Sequence, residues 1–354
     1  MGIINARSPY FLSVSDADLA TATLDIEIYT GDETTGYSGT PTYSLSKQII
    51  LNTTKISFEI SELIRDYLDI TFDGDYDDFA EQSCKWVRTT LTAFDGNGVQ
   101  LSQTISTDLA FNSYGYFEDG ANYSFEYEGL LMSNNEIFIE SGEQINIPVQ
   151  TDRTVTAKFY DSDNGLLDSE TFSLSDQSQD KVVYTSYTDN QAVKATIQYT
   201  GDAGAETSTI KISQLSECKF TPYKTTFINK FGVLQDLYFF KKSVEKMTTK
   251  RESYKANILS SSNTYNTYNH TKRDFNIVAN ESVSLSSGFV NESYNEVFKQ
   301  MMLSEKVWIT NENNQVYPIN IKTSNITYKT SVNDRLVEYT IEFDNSYNVL
   351  NDIR

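Results

Sequence analysis

The chain has 354 residues, including 24 tyrosines and 20 phenylalanines, and a formal net charge of −21. The aromatic residues supply enough burial area for a packed core, so the composition excludes a disordered chain, and the length predicts two or three domains. The negative charge excludes a general nucleic-acid coat or a binder of anionic membranes. The chain has one histidine, His270, and two cysteines, Cys84 and Cys218, which are too few for most catalytic triads and zinc sites.

The first 125 residues alternate between apolar and polar side chains with period two, which is typical of half-buried strands. Strands are predicted at 24–30 and 56–60, followed by a short helix with Ser61 as its N-cap. A strand over Cys84–Phe94 should turn at Asp95–Gly98 and return through Val99–Ile105. These elements predict an N-terminal β domain over residues 1–125 with one short helix.

Two acidic runs resemble calcium loops. Asp73–Asp78 places carboxylates at alternate positions, but its glycine and the cysteine at position 84 do not fit an EF-hand, so the run is either a calcium loop or a solvated acidic loop. Asp161–Gly165 is better explained as a hairpin turn, because strand patterns flank it on both sides.

Residues 136–215 predict an immunoglobulin-like or fibronectin-like sandwich of seven strands. No Cys-Trp-Cys arrangement accompanies them, which excludes an antibody-type domain. The seven strands are predicted at 136–140, 145–150, 154–161, 166–174, 181–187, 192–200 and 207–215.

Residues 219–354 predict a C-terminal α+β assembly domain of mostly antiparallel sheet. The best helix pattern in the chain covers 291–303, and a Ser/Asn/Tyr-rich loop is expected at 260–270. Strands are predicted at Val233–Lys241, Val244–Leu259, Asp274–Leu285, Lys306–Ile309, Val316–Lys322 and Leu336–Phe343, with a further one at Asn325–Thr330. The fold class is therefore mainly β, with serial sandwich domains followed by this α+β domain.

The charge is divided unevenly along the chain. Residues 1–215 hold 11 basic and 34 acidic residues, net −23, whereas 219–255 holds nine Lys/Arg and three Asp/Glu, net +6. Aromatic residues between these cations could bind single-stranded nucleic acid, but on strands we expect the aromatics to pack inward and the lysines outward. The asymmetry reflects either solubility or a contact with an acidic surface, for which the candidate residues are Lys241, Lys242, Lys246 and Lys250.

The sequence shows no pattern of a secretory signal peptide and no apolar run long enough for a membrane-spanning helix. The two cysteines are distant in sequence, and we expect no disulfide between them. No phosphate-binding glycine loop occurs, and nothing near His270 offers a catalytic partner. We therefore expect no enzyme activity, no cofactor and no metal site.

Several packing motifs resemble structural proteins of tailed phages that infect Bacteroidetes, including the crAss-like group. The resemblance lies at both ends of the chain, and the middle is interpreted only from its predicted architecture. The motifs are Arg7–Phe11, Ile56–Leu68, Phe227–Gly232, Leu303–Ile309, Tyr317–Ile319 and Leu336–Phe343.

The resemblance implies a virion component made in the host bacterial cytoplasm. It favours a tail protein such as a hub, ring, baseplate or fibre-attachment subunit, which would contact other virion proteins and form a symmetric homo-oligomer. Direct DNA binding is not expected. Two alternatives stay open: a receptor- or glycan-binding tail module, and a glycoside hydrolase that uses two carboxylates.

Overall fold

The computed structural model of the chain is mainly β, with 52% of residues in strands and 6% in helices. Two compact units divide the chain: unit 1 comprises Met1–Ser216, Thr226–Leu237 and Glu296–Glu305, and unit 2 comprises Glu217–Thr225, Tyr238–Asn295 and Lys306–Arg354. The structure describes residues 2–50, 53–77, 81–125, 129–151, 153–174, 181–188, 191–201, 204–215, 219–311, 313–327 and 336–350.

The first sheet of unit 1 has five strands in the order β1-β7-β6-β3-β4. Strand β1 runs parallel to β7, and the other neighbours are antiparallel. A separate hairpin pairs β2 with β5. The strands are β1 (Ile3–Asn5), β2 (Phe11–Ser15), β3 (Thr21–Tyr29), β4 (Tyr43–Gln48), β5 (Lys55–Glu59), β6 (Cys84–Phe94) and β7 (Gln100–Phe111).

Period-two alternation explains the core beneath this sheet. Leu24 and Ile26 of β3 are fully buried together with Val87 of β6, and Phe58 of the hairpin packs in the same cluster. Helix α1 (Ser61–Arg65) closes the layer through Ile64. The cap prediction was wrong: Ile60 is the N-cap and makes no side-chain cap bond, because the Ser61 hydroxyl donates to the Glu59 carboxylate instead.

Two further sheets of unit 1 account for residues 129–214. One has the order β13-β10-β8, and the other has the order β12-β11-β14-β15-β9 with β9 parallel to β15. All seven strands expected between 136 and 215 are present within a few residues of their predicted bounds. They are preceded by β8 (Gly129–Leu130) and comprise β9 (Glu136–Ile139), β10 (Gln144–Gln150), β11 (Thr154–Tyr160), β12 (Leu166–Ser173), β13 (Val182–Thr188), β14 (Lys194–Gly201) and β15 (Gly204–Gln214).

Strands β16 (Tyr223–Ile228) and β17 (Leu234–Phe239) flank a tight turn whose residues belong to unit 1. The Asn229 side chain donates to the Leu131 carbonyl at 2.8 Å. Gly232 has φ +78°, and a Cβ there would lie 2.8 Å from the Asn112 backbone. Only glycine therefore fits this turn without a shift of the backbone.

Unit 2 contains five consecutive sheet strands in the order β21-β22-β24-β19-β18, and a short pair formed by β20 and β23. Val283, Leu285 and Phe343 are buried on one face of this sheet, and the Phe239 ring packs edge-on against Phe343 with centroids 5.8 Å apart. The strands are β18 (Ser243–Lys255), β19 (Lys272–Ser286), β20 (Val290–Asn291), β21 (Val307–Thr310), β22 (Val316–Ile321), β23 (Leu336–Val337) and β24 (Thr340–Asn345).

Helix α2 (Tyr294–Met302) lies inside the predicted helix 291–303. The strand predicted for Val233–Lys241 ends at Phe239, so Lys241 lies in a connection. Of the strand predicted at Asn325–Thr330, residues 325–327 form no strand and the rest lie outside the described residues. Within the described part of the chain, no helix has the length and apolarity to cross a membrane.

Candidate interaction site

The four candidate lysines do not form one cluster. Lys241 is half-buried and Lys242 exposed, and both lie in the connection between β17 and β18. Lys246 and Lys250 are exposed on β18, where their even spacing places them on one face of the strand. The structure therefore separates a pair at the base of β18 from a pair along it.

Beyond Lys246, β18 and β19 form a two-stranded ribbon, defined here as Thr248–Asn280, which includes Lys250. Strand β19 pairs with β24 only over Ser282–Ser286, so along the ribbon the described strands pair only with each other. One bond reaches the ribbon from the C-terminal segment, from the Val349 amide to the Ala279 carbonyl at 3.0 Å. At about 3.3 Å per residue, the β19 part of the ribbon is about 30 Å long.

The ribbon exposes large apolar and aromatic side chains, and no described residue forms a second layer over it. Every residue from 259 to 277 is exposed. The Tyr254 and Phe275 rings contact edge-on with centroids 5.7 Å apart, yet Tyr254 remains 47% exposed and Phe275 46%. The other exposed members are Leu259, Tyr265, Tyr268 and Ile277.

Tyr254 corrects part of the sequence interpretation. Tyr238, Phe239 and Phe240 pack inward as expected, but Tyr254 does not, because no described residue of unit 2 covers this part of β18. An isolated two-stranded hairpin is marginally stable in water. A long exposed ribbon with an aromatic pair is therefore a candidate interaction surface.

The ribbon is basic although the chain is strongly acidic. It holds five Lys/Arg and two Asp/Glu, net +3, against −21 for the whole chain. Arg251 and Asp274 form an exposed ion pair at 3.3 Å. Lys255 lies directly opposite Lys272, and like charges in opposing positions destabilise a strand pair. This register leaves an uncompensated positive charge where the paired strands end.

A bulge interrupts the ribbon at its middle. The register shifts between Lys250 and Glu252, so Asn276 and Ile277 both lie opposite Arg251. Asn276 has φ +48°, a conformation that asparagine tolerates better than most residues, and its side chain donates to Glu252 at 3.2 Å. The bulge brings Phe275 to the same face as Tyr254.

A cleft of about 540 Å³ lies on the sheet of unit 2, at the base of the ribbon. Glu245 accepts a hydrogen bond from the Tyr223 hydroxyl at 3.1 Å, and the Tyr317 and Tyr347 rings contact with centroids 5.8 Å apart. Other lining residues are Met247, Glu281, Asn311 and Asn345. The cleft thus combines aromatic rings with carboxylates and amides.

The acidic segment, defined here as Asp66–Asp77, lies in unit 1 next to helix α1. Its exposed residues include Asp66, Tyr67, Asp73, Asp75 and Asp77, whereas the intervening aromatic residues point inward. The described part of the chain contains no group of three or more His, Cys, Asp or Glu side chains that could hold a metal ion, and Asp78 lies outside it.

The inward aromatic residues fix the acidic segment. The Tyr76 hydroxyl donates to Asp236 at 2.6 Å, and its ring contacts those of Phe72 and Tyr184. Burial, followed by the negative charge of Asp236, raises the pKa of Tyr76 well above its ordinary value, so the hydroxyl remains a donor. The segment therefore presents its carboxylates from an anchored backbone.

The remaining candidate residues do not form a chemical site. His270 is exposed in the loop that joins the ribbon strands, Cys84 is buried in unit 1, and Cys218 lies outside the described residues. Asp161 forms the predicted hairpin turn, accepting from the Gly165 amide at 2.6 Å, with Asn164 at φ +62°.

Arginine and glutamate side chains join three of the motifs that carry the phage resemblance. Arg7 donates to the Leu303 carbonyl at 2.8 Å and lies 3.5 Å from the Glu305 carboxylate, which also pairs with Arg65. Burial lowers the pKa of Arg7 from its ordinary value. All of these residues belong to unit 1, so the motifs act together as a packing site.

The sequence interpretation missed Lys255, Lys272, Tyr254 and Phe275 as members of one exposed ribbon, the two lysines on one face and the two aromatic residues on the other. The signal that could have found them was the polar loop at 260–270 between two long strand patterns, which indicates a hairpin. The bulge shifts the register, however, and neither the loop nor the pattern shows which side chains face each other.

Comparisons with known proteins do not identify a family. No family model and no curated protein matches the chain. Similar solved structures include the chaperone–tip adhesion subunit complex of archaic Csu pili from Acinetobacter baumannii, with 10% identity, a TM-score of 0.22, and coverage of 60% of this chain and 95% of that chain.

Two other structures show similarly weak likeness. Extracellular domains 3–5 of Drosophila OTK match with 9% identity and a TM-score of 0.20, covering 80% of this chain and 89% of that chain. The BSP domain of a biofilm-associated protein matches with 10% identity and a TM-score of 0.19, covering 80% and 63%. At these scores the likeness carries no argument about function.

Proposed function

We propose that this chain is a structural subunit of a tailed-phage virion, a tail component that acts through protein–protein contacts and not through catalysis. The observation that carries the proposal is the ribbon Thr248–Asn280, which exposes six large apolar or aromatic side chains that the described part of the chain does not cover. A tail location is supported by the resemblance of the packing motifs at both ends of the chain.

The proposal includes the finer architecture expected from sequence. In it, residues 136–215 form an immunoglobulin-like sandwich, and the pairing of β9 parallel to β15 at the edge of an otherwise antiparallel sheet supports that assignment. Lys241, Lys242, Lys246 and Lys250 are proposed contacts at the base of the ribbon and along β18.

Incorporation into particles tests the proposal. In the phage that encodes the chain, a variant with 249–279 replaced by a two-residue Asn-Gly turn should fold but be lost from purified virions by at least tenfold. Mass spectrometry of gradient-purified particles measures the loss. Absence of the unaltered chain from particles, or normal incorporation of the shortened chain, contradicts the proposal.

The four candidate lysines have their own test. Reversing Lys241, Lys242, Lys246 and Lys250 to glutamate should impair incorporation while leaving the isolated chain folded, as measured by circular dichroism. Normal incorporation of this variant would mean that the charge asymmetry reflects solubility and not assembly.

The cleft favours a second candidate function, a glycan-binding tail module. Sugar rings stack their C–H faces on aromatic side chains, and their hydroxyls bond to carboxylates and amides such as Glu281 and Asn345. Calorimetric titration of the chain with oligosaccharides from the host surface tests this function. Binding that Tyr317→Ala weakens by tenfold would support it, and absence of heat at millimolar ligand would exclude it.

A further inference from the structure

The ribbon has the chemistry of a surface that docks on an anion-rich protein face. Its strands lack a covering layer, and its exposed aromatic pair, Tyr254 and Phe275, supplies apolar area. Arg273 lies on the same face as that pair, whereas Arg251, Lys255 and Lys272 lie on the opposite face, because neighbouring residues of a strand point to opposite sides. The ribbon therefore offers a partner an aromatic face and a basic face.

Lys255 and Lys272 show which charge the partner carries. They are directly opposed, although one acidic residue at either position would have made a stabilising cross-strand pair. A carboxylate from outside the ribbon could contact both ammonium groups at once. The register thus favours an acidic partner over a neutral or basic one.

The same chain carries a matching acidic face. The acidic segment holds Asp66, Asp69, Asp73, Asp75 and Asp77, and Tyr76 anchors it through Asp236. Tyr67, which is 40% exposed, adds apolar area beside the carboxylates. Unit 1 as a whole is the acidic part of the chain, since residues 1–215 carry a net charge of −23.

We infer that the ribbon of one copy docks on the acidic segment of a second copy of this chain, with Lys255 and Lys272 facing Asp73, Asp75 and Asp77. This inference rests on the proposed function as an assembly subunit and names the partner of its ribbon. Because the two surfaces differ, the contact is head-to-tail and repeats from copy to copy. Charge complementarity sets its orientation and rate of association.

Sedimentation velocity of the full-length chain over a range of concentrations tests the inference. The chain should self-associate, and raising the salt from 50 mM to 500 mM should weaken the association. Lys255→Glu/Lys272→Glu should weaken it at least tenfold. Since two opposed glutamates repel each other as the two lysines do, the isolated ribbon stays equally strained in this variant.

Lys55→Glu/Lys211→Glu is the matched control. These exposed lysines lie in unit 1 outside the acidic segment, and the double reversal changes the net charge by the same amount. Because the reversal also replaces the ion pair of Lys211 with Glu136, the circular dichroism spectrum of the control must match that of the unaltered chain. The control should associate like the unaltered chain. Equal weakening by both double variants would show a general charge effect and overturn the inference.

A charge swap identifies the acceptor. Asp73→Lys/Asp75→Lys should weaken association on its own and restore it when combined with Lys255→Glu/Lys272→Glu. Failure of the combined variant to recover, with a circular dichroism spectrum like that of the unaltered chain, would overturn the inference.

The inference and the proposed function fail in different ways. A chain that is monomeric at every concentration but present in purified particles would contradict the inference and remain consistent with the proposed function. A chain that self-associates through the ribbon but is absent from particles would do the reverse.

Discussion

Strands β6 and β18 have similar lengths, 11 and 13 residues, but different surroundings. Strand β6 lies between β3 and β7, and Trp86 within it is fully buried. Strand β18 is the edge of its sheet, and all of its residues after Ser243 are exposed. Two strands of similar length thus differ in exposure because β6 has a partner on each side and buried side chains, whereas β18 has a partner on one side only.

The largest expected effect is on the covered strand. Trp86→Ala should lower the free energy of unfolding by about 3–5 kcal/mol, because it opens a cavity beneath the first sheet and removes the indole donor to the Gly31 carbonyl. Denaturant titration measures the loss. Tyr254→Ala is the matched truncation on β18 and should change it by less than about 0.5 kcal/mol; similar losses would mean that the ribbon is covered within one chain.

The ion pair of Arg7 with Glu305 is expected to have an intermediate effect on the free energy of unfolding. Glu305→Ala should lower the free energy of unfolding by about 1 kcal/mol, because it leaves the largely buried guanidinium of Arg7 without its carboxylate. The expected loss in free energy is small because the Glu305 side chain is itself 36% exposed. Thermal unfolding checks the value, with Glu305→Gln expected to recover part of the loss.

Lys255→Glu should act in opposite directions on stability and association. It replaces a repulsive cross-strand pair with an attractive one opposite Lys272, and should stabilise the ribbon by about 0.2–1 kcal/mol. Amide hydrogen exchange along Thr248–Lys255 should therefore slow. Association between copies should weaken in the same sample. If association strengthened while amide exchange slowed, the result would contradict an acidic partner.

The smallest effect is expected at the exposed pair of Arg251 and Asp274. Arg251→Ala should change the free energy of unfolding by less than about 0.5 kcal/mol, because both side chains are solvated and salt screens their attraction. Chemical denaturation in low and high salt measures the change. A loss of more than 1 kcal/mol would place this pair in a desolvated environment.

The sequence predicted the strands of 136–215 well, because alternation, turn residues and strand length agreed there. Asn164 illustrates the point, since its positive φ and the Asp161 bonds form the turn that the sequence indicated. The mainly β fold is confirmed, whereas the division into three domains remains a prediction.

The candidate site was only partly predictable. Period two located Lys246 and Lys250 on one face, but it cannot show that a second layer is missing, and so Tyr254 was expected to be buried. The contact of Arg7 with Glu305 joins residues almost 300 positions apart, and no local pattern encodes such a pair. Facing pairs such as Lys255 and Lys272 depend on a register that the bulge shifts.

The bulge at Asn276 breaks the regular alternation along the open ribbon. In a regular strand Phe275 and Ile277, two residues apart, would lie on one face, and an apolar stripe would lie beside an open strand edge. Such edges template the stacking of strand on strand that produces amyloid. The bulge divides the stripe between two faces and twists the edge, which disfavours the stacking of strand on strand along the ribbon.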